Sequence, residues 1–514
     1  MNTIIGRGKA LACAWPISAG RWNRASRSRC FTRPETFMPS PASGLELHLY
    51  CHGLGDCHLL RLPSSGGDQW IMIDCGIHTS MPGGADRIRV VVDDVQRKTR
   101  GKLRAVVGTH EHWDHISAFH PAQELFDTGW TVTEVWLAWT ENGSNVEAQR
   151  LDKYKGEATR TLSIAQSALQ KTQGLTGLSD PLGAVMGFLG FNDPNGSALS
   201  ADAALAAAFG LEGDRVRRAR DRLAQLGPPK YLDPGDVLEL TDEVRCYVMA
   251  PPHDSKFNKL DDKDLTYNAA GTEPLLSSLQ NALAVNFVGR NLEDDPTSPF
   301  DGDEGVPLDQ ARKDIEFLHN HYDNESWRTI DNEWLMPATE LALQLDNRTN
   351  NSSLVLAFEI IATRHVLIFA ADAQIGNWMS WESVNFAGTA DRAKTTGKEL
   401  LERAVFYKVG HHGSRNATMS KGGLELMNGL ELAFNPTDRK MAEAVHWGDI
   451  PAEALNRELV RRTSGKLIEG DTLDTLDLTK FAAGGALAED VKIELLRKST
   501  DETADINCVI CRIV

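Results

Sequence analysis

Short apolar runs separated by turn residues dominate the first part of the chain. Apolar and polar residues alternate over residues 45–50, and further apolar runs cover residues 57–62 and 70–73, which is typical of β-strands. The apolar spacing becomes helical over residues 85–99, before another strand at residues 103–107. Strands, a helix and a further strand in this order predict one half of an α/β sandwich.

The same pattern resumes later in the chain, after two long interruptions. Residues 141–230 are rich in Ala and carry polar residues at helical spacing, which predicts a helical insertion. Residues 254–345 are rich in Asp, Asn and Gly, and we interpret them as a second insertion. The other predicted strands are residues 132–138, 236–240, 244–249, 353–358, 366–369, 405–409, 491–496 and 508–514, with helices near residues 398–403 and 452–463.

Charge separates a basic N-terminal segment from an acidic body. The whole chain has a net charge of −17, of which residues 1–37 contribute +6, so that the remainder carries −23. An acidic body disfavours the binding of long nucleic acids, because Lys and Arg supply most of that affinity. We interpret residues 1–43 as a disordered basic extension and residues 44–514 as one folded domain that contains both insertions.

Neither apolar runs nor cysteines indicate a membrane or secreted protein. The most apolar candidate span, residues 353–371, is interrupted by Glu359, Arg364 and His365, whereas a membrane helix needs about 20 predominantly apolar residues. Eight cysteines in 514 residues are too sparse for a dense disulfide framework. We therefore expect a soluble cytoplasmic protein with no membrane partner.

Four polar residues that suit a metal ion follow the predicted strand at residues 103–107. They are His110, His112, Asp114 and His115, which lie within six residues of one another. Imidazole and carboxylate groups are suitable ligands for zinc, manganese or iron. A loop at the end of a strand can turn all four side chains inward, so this spacing predicts a metal site.

The spacing H-x-H-x-D-H resembles the signature of the metallo-β-lactamase superfamily. Further positions match that family in the same order along the chain: Asp74 at the end of a strand, Asp372 after a later strand, and His411 after the next. The resemblance implies an α/β fold, the αββα sandwich of that family, here with two large insertions. It also implies two divalent metal ions, most simply Zn²⁺, with Mn²⁺ or Fe as alternatives.

The resemblance further implies a distribution of the ligands. Asp372 would bridge the ions, Asp114 would also orient the attacking hydroxide, and His412 would be a proton donor or a neighbour of the ligands. His253 follows a turn that differs from the family pattern, and its alternative interpretation is a surface histidine. His446 is a weaker candidate for contacting the substrate. The predicted ligands are His110, His112 and His253 for the first ion, and Asp114, His115 and His411 for the second.

Local motifs resemble more closely the hydrolase domain of ComEC-type competence proteins. They are the Gly-Leu-Gly-Asp turn at residues 53–56, Asn-Asn-Ser-Ser at residues 350–353, and Lys-Val-Gly-His-His-Gly-Ser at residues 408–414. Those proteins also carry a membrane channel, which this chain lacks, so a role in DNA uptake is not expected.

The resemblance favours a dinuclear phosphodiesterase or phosphoesterase that uses a hydroxide bridging the two metals. With the acidic body, it predicts a small phosphoester or a short nucleic acid as substrate. One alternative is hydrolysis of a thioester, lactone or β-lactam at the same metals. A second alternative is a protein without catalytic activity, in which the two insertions bind a protein partner over a vestigial site.

Overall fold

A computed structural model describes residues 44–171, 214–254, 315–316, 335–390, 392–444, 450–498 and 505–514. The predicted N-terminal extension, most of the second insertion and His446 lie outside these residues.

The described strands are short and mostly buried, as the sequence pattern predicts. In chain order they are β1 (Leu45–Cys51), β2 (Cys57–Leu62), β3 (Gln69–Cys75), β4 (Lys102–Gly108), β5 (Thr131–Ala138), β6 (Pro229–Leu232), β7 (Val237–Glu239), β8 (Val244–Ala250), β9 (Val355–Ile360), β10 (Val366–Phe369), β11 (Asn385–Phe386), β12 (Thr395–Thr396), β13 (Ala404–Lys408), β14 (Leu432–Asn435), β15 (Leu467–Glu469), β16 (Lys492–Arg497) and β17 (Ile506–Ile513).

The described helices are α1 (Gly84–Thr99), α2 (Trp113–Ile116), α3 (Val146–Lys171), α4 (Asp214–Ala224), α5 (Leu335–Asn351), α6 (Ile375–Trp378), α7 (Gly397–Glu402), α8 (Arg439–Ala444) and α9 (Glu453–Arg462). Helices α3 and α4 lie within the stretch predicted as a helical insertion. Helix α5 begins inside the second predicted insertion and ends directly before the turn that leads into β9. No helix among the described residues is long and apolar enough to cross a membrane.

Two large sheets carry the fold. The first has the strand order β16-β17-β1-β2-β3-β4-β5-β6, and the second β15-β14-β13-β10-β9-β8-β7. Strands β3 to β6 pair in parallel in the first sheet, as do β10, β13, β14 and β15 in the second. The carboxyl ends of parallel strands lie at one edge of a sheet, so each sheet presents its strand-end loops together.

The alternation of side chains along the strands separates three layers of core. In β4, Ala105 and Val107 belong to the cluster between the two sheets, whereas Val106 belongs to the cluster on the outer face, with α1 and α4. A third cluster covers the outer face of the second sheet, where Trp378 and Leu400 pack. The predicted αββα sandwich is thereby confirmed.

Candidate metal centre

Strand-end loops of both sheets meet at one buried place. Residues 109–115 follow β4 in the first sheet, Asp372 follows β10 in the second, and residues 411–412 follow β13. All of their His and Asp side chains are buried. The chain therefore brings together polar groups that lie far apart in sequence and removes them from solvent.

The side chains form two groups that share one carboxylate. Asp114, His115, Asp372 and His412 each offer a ligand atom, and these atoms all lie within 4.8 Å of one another. His110, His112 and Asp372 form a second group by the same measure. Because Asp372 takes part in both, the arrangement can hold two neighbouring metal ions.

The distances within the groups fit coordination to a metal. His412 Nε2 lies 2.9 Å from Asp114 Oδ2, and His115 Nε2 lies 3.1 Å from Asp372 Oδ2. Two ligand atoms at about 2.0–2.1 Å from one tetrahedral ion lie roughly 3.3 Å apart. His110 Nε2 and Asp114 Oδ1 are buried without a hydrogen-bond partner among the described residues. Buried polar atoms are rarely left without partners, so these atoms fit a missing cation.

In the metal-free chain, the pKa values of His110 and His115 are shifted in opposite directions. Burial, together with the positive field of His115 and His112, holds the pKa of His110 well below its usual range. Burial lowers the pKa of His115, but the carboxylates of Asp372 and Asp114 outweigh it and raise that pKa well above the ordinary value. In the metal-free chain these carboxylates therefore favour a positive charge at His115.

Asp74 fixes the orientation of His115. Its Oδ2 lies 2.8 Å from His115 Nδ1, and it accepts hydrogen bonds from the backbone N–H and the hydroxyl of Thr109. A histidine that donates one ring N–H to a carboxylate directs its other nitrogen toward a metal. Asp74, which the sequence placed beside the site, therefore positions a ligand.

A buried lysine already neutralises a third acidic group. Asp56, Asp74 and His115 also lie close enough together to hold an ion. However, Lys408 Nζ contacts Asp56 Oδ2, donates to the backbone carbonyl of Ala371, and lies 3.7 Å from Asp372 Oδ1. The carboxylates of Asp56 and Asp372 outweigh burial and raise the pKa of Lys408, so its ammonium group supplies the cation there.

Residues 52–253 match the family model of the metallo-beta-lactamase superfamily.

The superfamily match covers the chain from β2 to β8, including residues 110–115, and Asp372 lies beyond it. The two buried His/Asp groups and the four-layer sandwich agree with this match, since the superfamily usually binds divalent metals and is generally hydrolytic. No curated protein matches the chain.

The structure favours His412 over His411 as the ligand from the Gly-His-His-Gly turn. The Nδ1 of His412 lies 2.6 Å from the carbonyl oxygen of Pro436, so that its Nε2 faces Asp114. His411 falls outside both ligand groups; its Nδ1 lies 2.9 Å from Ser414 Oγ, and its backbone N–H donates to Asp372. The two rings are therefore held by different partners, Pro436 for His412 and Ser414 for His411.

His253, the last residue of the superfamily match, is not brought to the centre. Its side chain is 54% exposed, its Nε2 lies 2.8 Å from Asp233 Oδ1, and its ring stacks on Trp139 at 4.3 Å. The structure thus favours the alternative of a surface histidine, held by a hydrogen bond with Asp233 and an aromatic contact with Trp139.

Asp346 is a buried carboxylate beside the centre that the sequence analysis did not single out. It belongs to α5, and its Oδ1 lies 3.7 Å from His112 Nε2. Burial and the carboxylates of Asp372 and Asp114 raise the pKa of Asp346 to about 8 in the metal-free chain. The sequence carries one signal that could have pointed to Asp346. It lies four residues before Asn350, which is one helical turn, and shortly before a predicted strand.

The backbone around the centre is strained. Four of the eight described non-glycine residues with positive φ lie here, namely Asp74, Ala371, His411 and His412. Gly76 is required nearby, because a Cβ at that position would lie 2.4 Å from the carbonyl carbon of Asp114. Such strain concentrates at functional sites, where the surrounding structure maintains it.

Proposed function

We propose that this protein is a metal-dependent hydrolase of phosphoesters, and of phosphodiesters in particular, that acts with two divalent ions. The sharing of Asp372 between the two buried ligand groups carries the proposal. Enzymes that cleave phosphoesters hold paired ions about 3.5–4 Å apart, which clamps the attacking and leaving oxygens. The ligand atoms are nitrogen and oxygen, which suit Zn²⁺ and also Mn²⁺ or Fe.

When bound, two such ions polarise a phosphoryl oxygen and make water a nucleophile at neutral pH. Neighbouring groups of the chain hold two of the ligand side chains in the orientation that the ions require. Asp74 holds His115 through Nδ1, and the carbonyl of Pro436 holds His412 in the same way. Both rings therefore keep Nε2 directed at the centre, and little reorganisation is needed when the ions bind.

Asp114 is placed to orient the attacking water. Its Oδ2 faces His412 Nε2, while its Oδ1 has no hydrogen-bond partner among the described residues. In our proposal Asp114 holds the second ion and also orients the attacking water toward the phosphorus. His411, oriented by Ser414 Oγ beside Asp372, is the candidate for contacting the phosphoryl group.

Charge and motifs support a small substrate. The strongly acidic chain suits a small phosphoester or a short nucleic acid better than a long polyanion. The motifs similar to ComEC-type hydrolase domains also favour a phosphodiester. We assign substrate selection to the insertions, because α4 packs against α2 and α3 packs against α5, next to the ligand-bearing segments.

A panel of substrates tests the proposal. Metal-loaded protein is expected to cleave bis-p-nitrophenyl phosphate or short oligonucleotides, and removal of the ions with a chelator should abolish this activity. Cleavage of nitrocefin, a lactone or a thioester without any phosphodiesterase activity would instead support the alternative substrates. Inactivity toward the entire panel with a full complement of metal would overturn the proposal.

A further inference from the structure

The ligand set that the sequence predicts for the first metal ion lacks one member in the structure. With His253 outside the centre, His110, His112 and the shared Asp372 remain for the first ion. A tetrahedral zinc site with three protein ligands has room for one more group, from the protein or from solvent. A protein group close to His112 on the side of α5 would change how tightly that ion is held.

Asp346 occupies such a position. The separation of 3.7 Å between its Oδ1 and His112 Nε2 is too long for a hydrogen bond. It lies within the range for two ligands of one ion, which runs from about 3.3 Å in a tetrahedron to about 4.2 Å for opposite ligands. Asp346 Oδ1 is also buried without a hydrogen-bond partner among the described residues.

The surroundings of Asp346 hold its carboxylate in place. Asn350 Nδ2, one helical turn further along α5, donates to Asp346 Oδ2 at 3.2 Å. This contact orients the carboxylate so that Oδ1 is the oxygen nearer His112. The nearest charged groups that act on Asp346 are the carboxylates of Asp372 and Asp114, which repel it. A metal ion beside His112 would offset this repulsion and favour the ionised carboxylate.

Asp346 lies beside His112, outside the group of His110, His112 and Asp372 whose ligand atoms are within 4.8 Å of one another. We propose that Asp346 becomes a ligand of the first metal ion when that ion binds, together with His110, His112 and Asp372, and so takes the role predicted for His253. The inference rests on the proposed dinuclear centre. It makes α5, which also packs against α3, part of the metal site. Binding of the first ion would then tie the helical segments to the two sheets.

The test is a metal titration of the full chain and its Asp346→Asn variant. Asparagine keeps the shape of the side chain and one contact with Asn350, but removes the negative charge. We expect the affinity for one of two Zn²⁺ ions to fall at least about 100-fold, beyond the 10–100-fold typical of residues that merely orient a ligand. The other ion should bind as in the wild type. His253→Ala is the matched control and should leave both affinities unchanged.

Thermal melting without metal separates a ligand from a structural residue. If Asp346 is a ligand, Asp346→Asn should melt without metal at about the same temperature as the wild type, because the amide keeps the shape of the side chain and the contact with Asn350, and should gain less from added Zn²⁺. A lower metal-free melting temperature with normal affinity for both ions would overturn the inference while leaving the proposed function intact. A wild type that binds no metal would overturn both.

Discussion

Two buried charged clusters share the loop that follows β4, and they neutralise their carboxylates differently. Glu111 lies between the two metal-facing histidines in sequence but points into an ionic cluster with the insertion helices. There it contacts Arg220 of α4, and both Glu111 and Glu141 lie 3.3 Å from Lys155 Nζ of α3. This cluster, defined by Glu111, Glu141, Lys155 and Arg220, contains its own cations.

The metal centre has the opposite balance. Asp114, Asp346 and Asp372 converge there with imidazoles, and Lys408 mainly contacts Asp56. Similar burial thus gives ion pairs with Lys155 and Arg220 on one side of the loop, whereas the carboxylates on the other side face mainly imidazoles. The comparison teaches that burial of charge alone does not identify a metal site; convergence of buried imidazoles and carboxylates that are not all paired with Lys or Arg side chains among the described residues does.

The largest expected effect comes from Asp372→Ala, which removes the carboxylate shared by both ligand groups. Bound metal should fall below one ion per chain, and hydrolysis should fall at least about 1,000-fold, since two-ion catalysis depends on both ions. Elemental analysis and initial rates measure these changes. Asp93→Ala on the exposed face of α1 is the control and should retain both properties.

Lys155→Met should destabilise the ionic cluster without removing a metal ligand. It leaves two buried carboxylates near one guanidinium, which is expected to lower the free energy of unfolding by about 3–5 kcal/mol. Urea denaturation measures the change. Lys153→Met, on the same helix but 77% exposed, should cost less than about 1 kcal/mol. Equal effects of the two substitutions would contradict the comparison.

The ionic cluster should also give the stability a pH dependence. Burial and the neighbouring Glu111 raise the pKa of Glu141 to about 7, although Lys155 and Arg220 oppose them. A carboxyl whose folded pKa is raised stabilises the fold at low pH and loses that contribution as pH rises through 7. Glu141→Gln should therefore be more stable than the wild type at pH 8, by about 2–3 kcal/mol, and nearly equal to it at pH 4.5. The prediction is wrong if the free energies of unfolding of the two proteins, measured by urea denaturation, depend on pH in the same way.

A smaller effect is expected from Asp74→Asn, which tests how a ligand is oriented. Asparagine tolerates the positive φ of 55° at this position, but it has one accepting oxygen where Asp74 accepts on both, so it cannot keep the contacts with His115 Nδ1 and the Thr109 N–H together. Loss of such a contact typically weakens metal binding 10–100-fold. Competition with a chromogenic chelator measures the affinity. Asp68→Asn, at an exposed turn, should bind metal like the wild type.

Sequence reasoning succeeds where the information is local. Residues 110–115 lie within one loop directly after a strand, so their spacing alone predicts convergence. The choice between His411 and His412 depends on backbone conformation, which adjacent identical residues do not reveal. Asp346 lies near His112 because of how α5 packs, which the sequence does not reveal. In sequence it is one polar position among others on α5. Strands β14 and β15, of four and three residues, were not predicted.

The number of divalent ions that the full chain binds tests the central claim most directly. After saturation with Zn²⁺ and removal of excess ion, elemental analysis should give two ions per chain. Less than one ion per chain, from protein that remains folded, would contradict the account, because the buried acidic groups would then be stable without the cations that we assign to them.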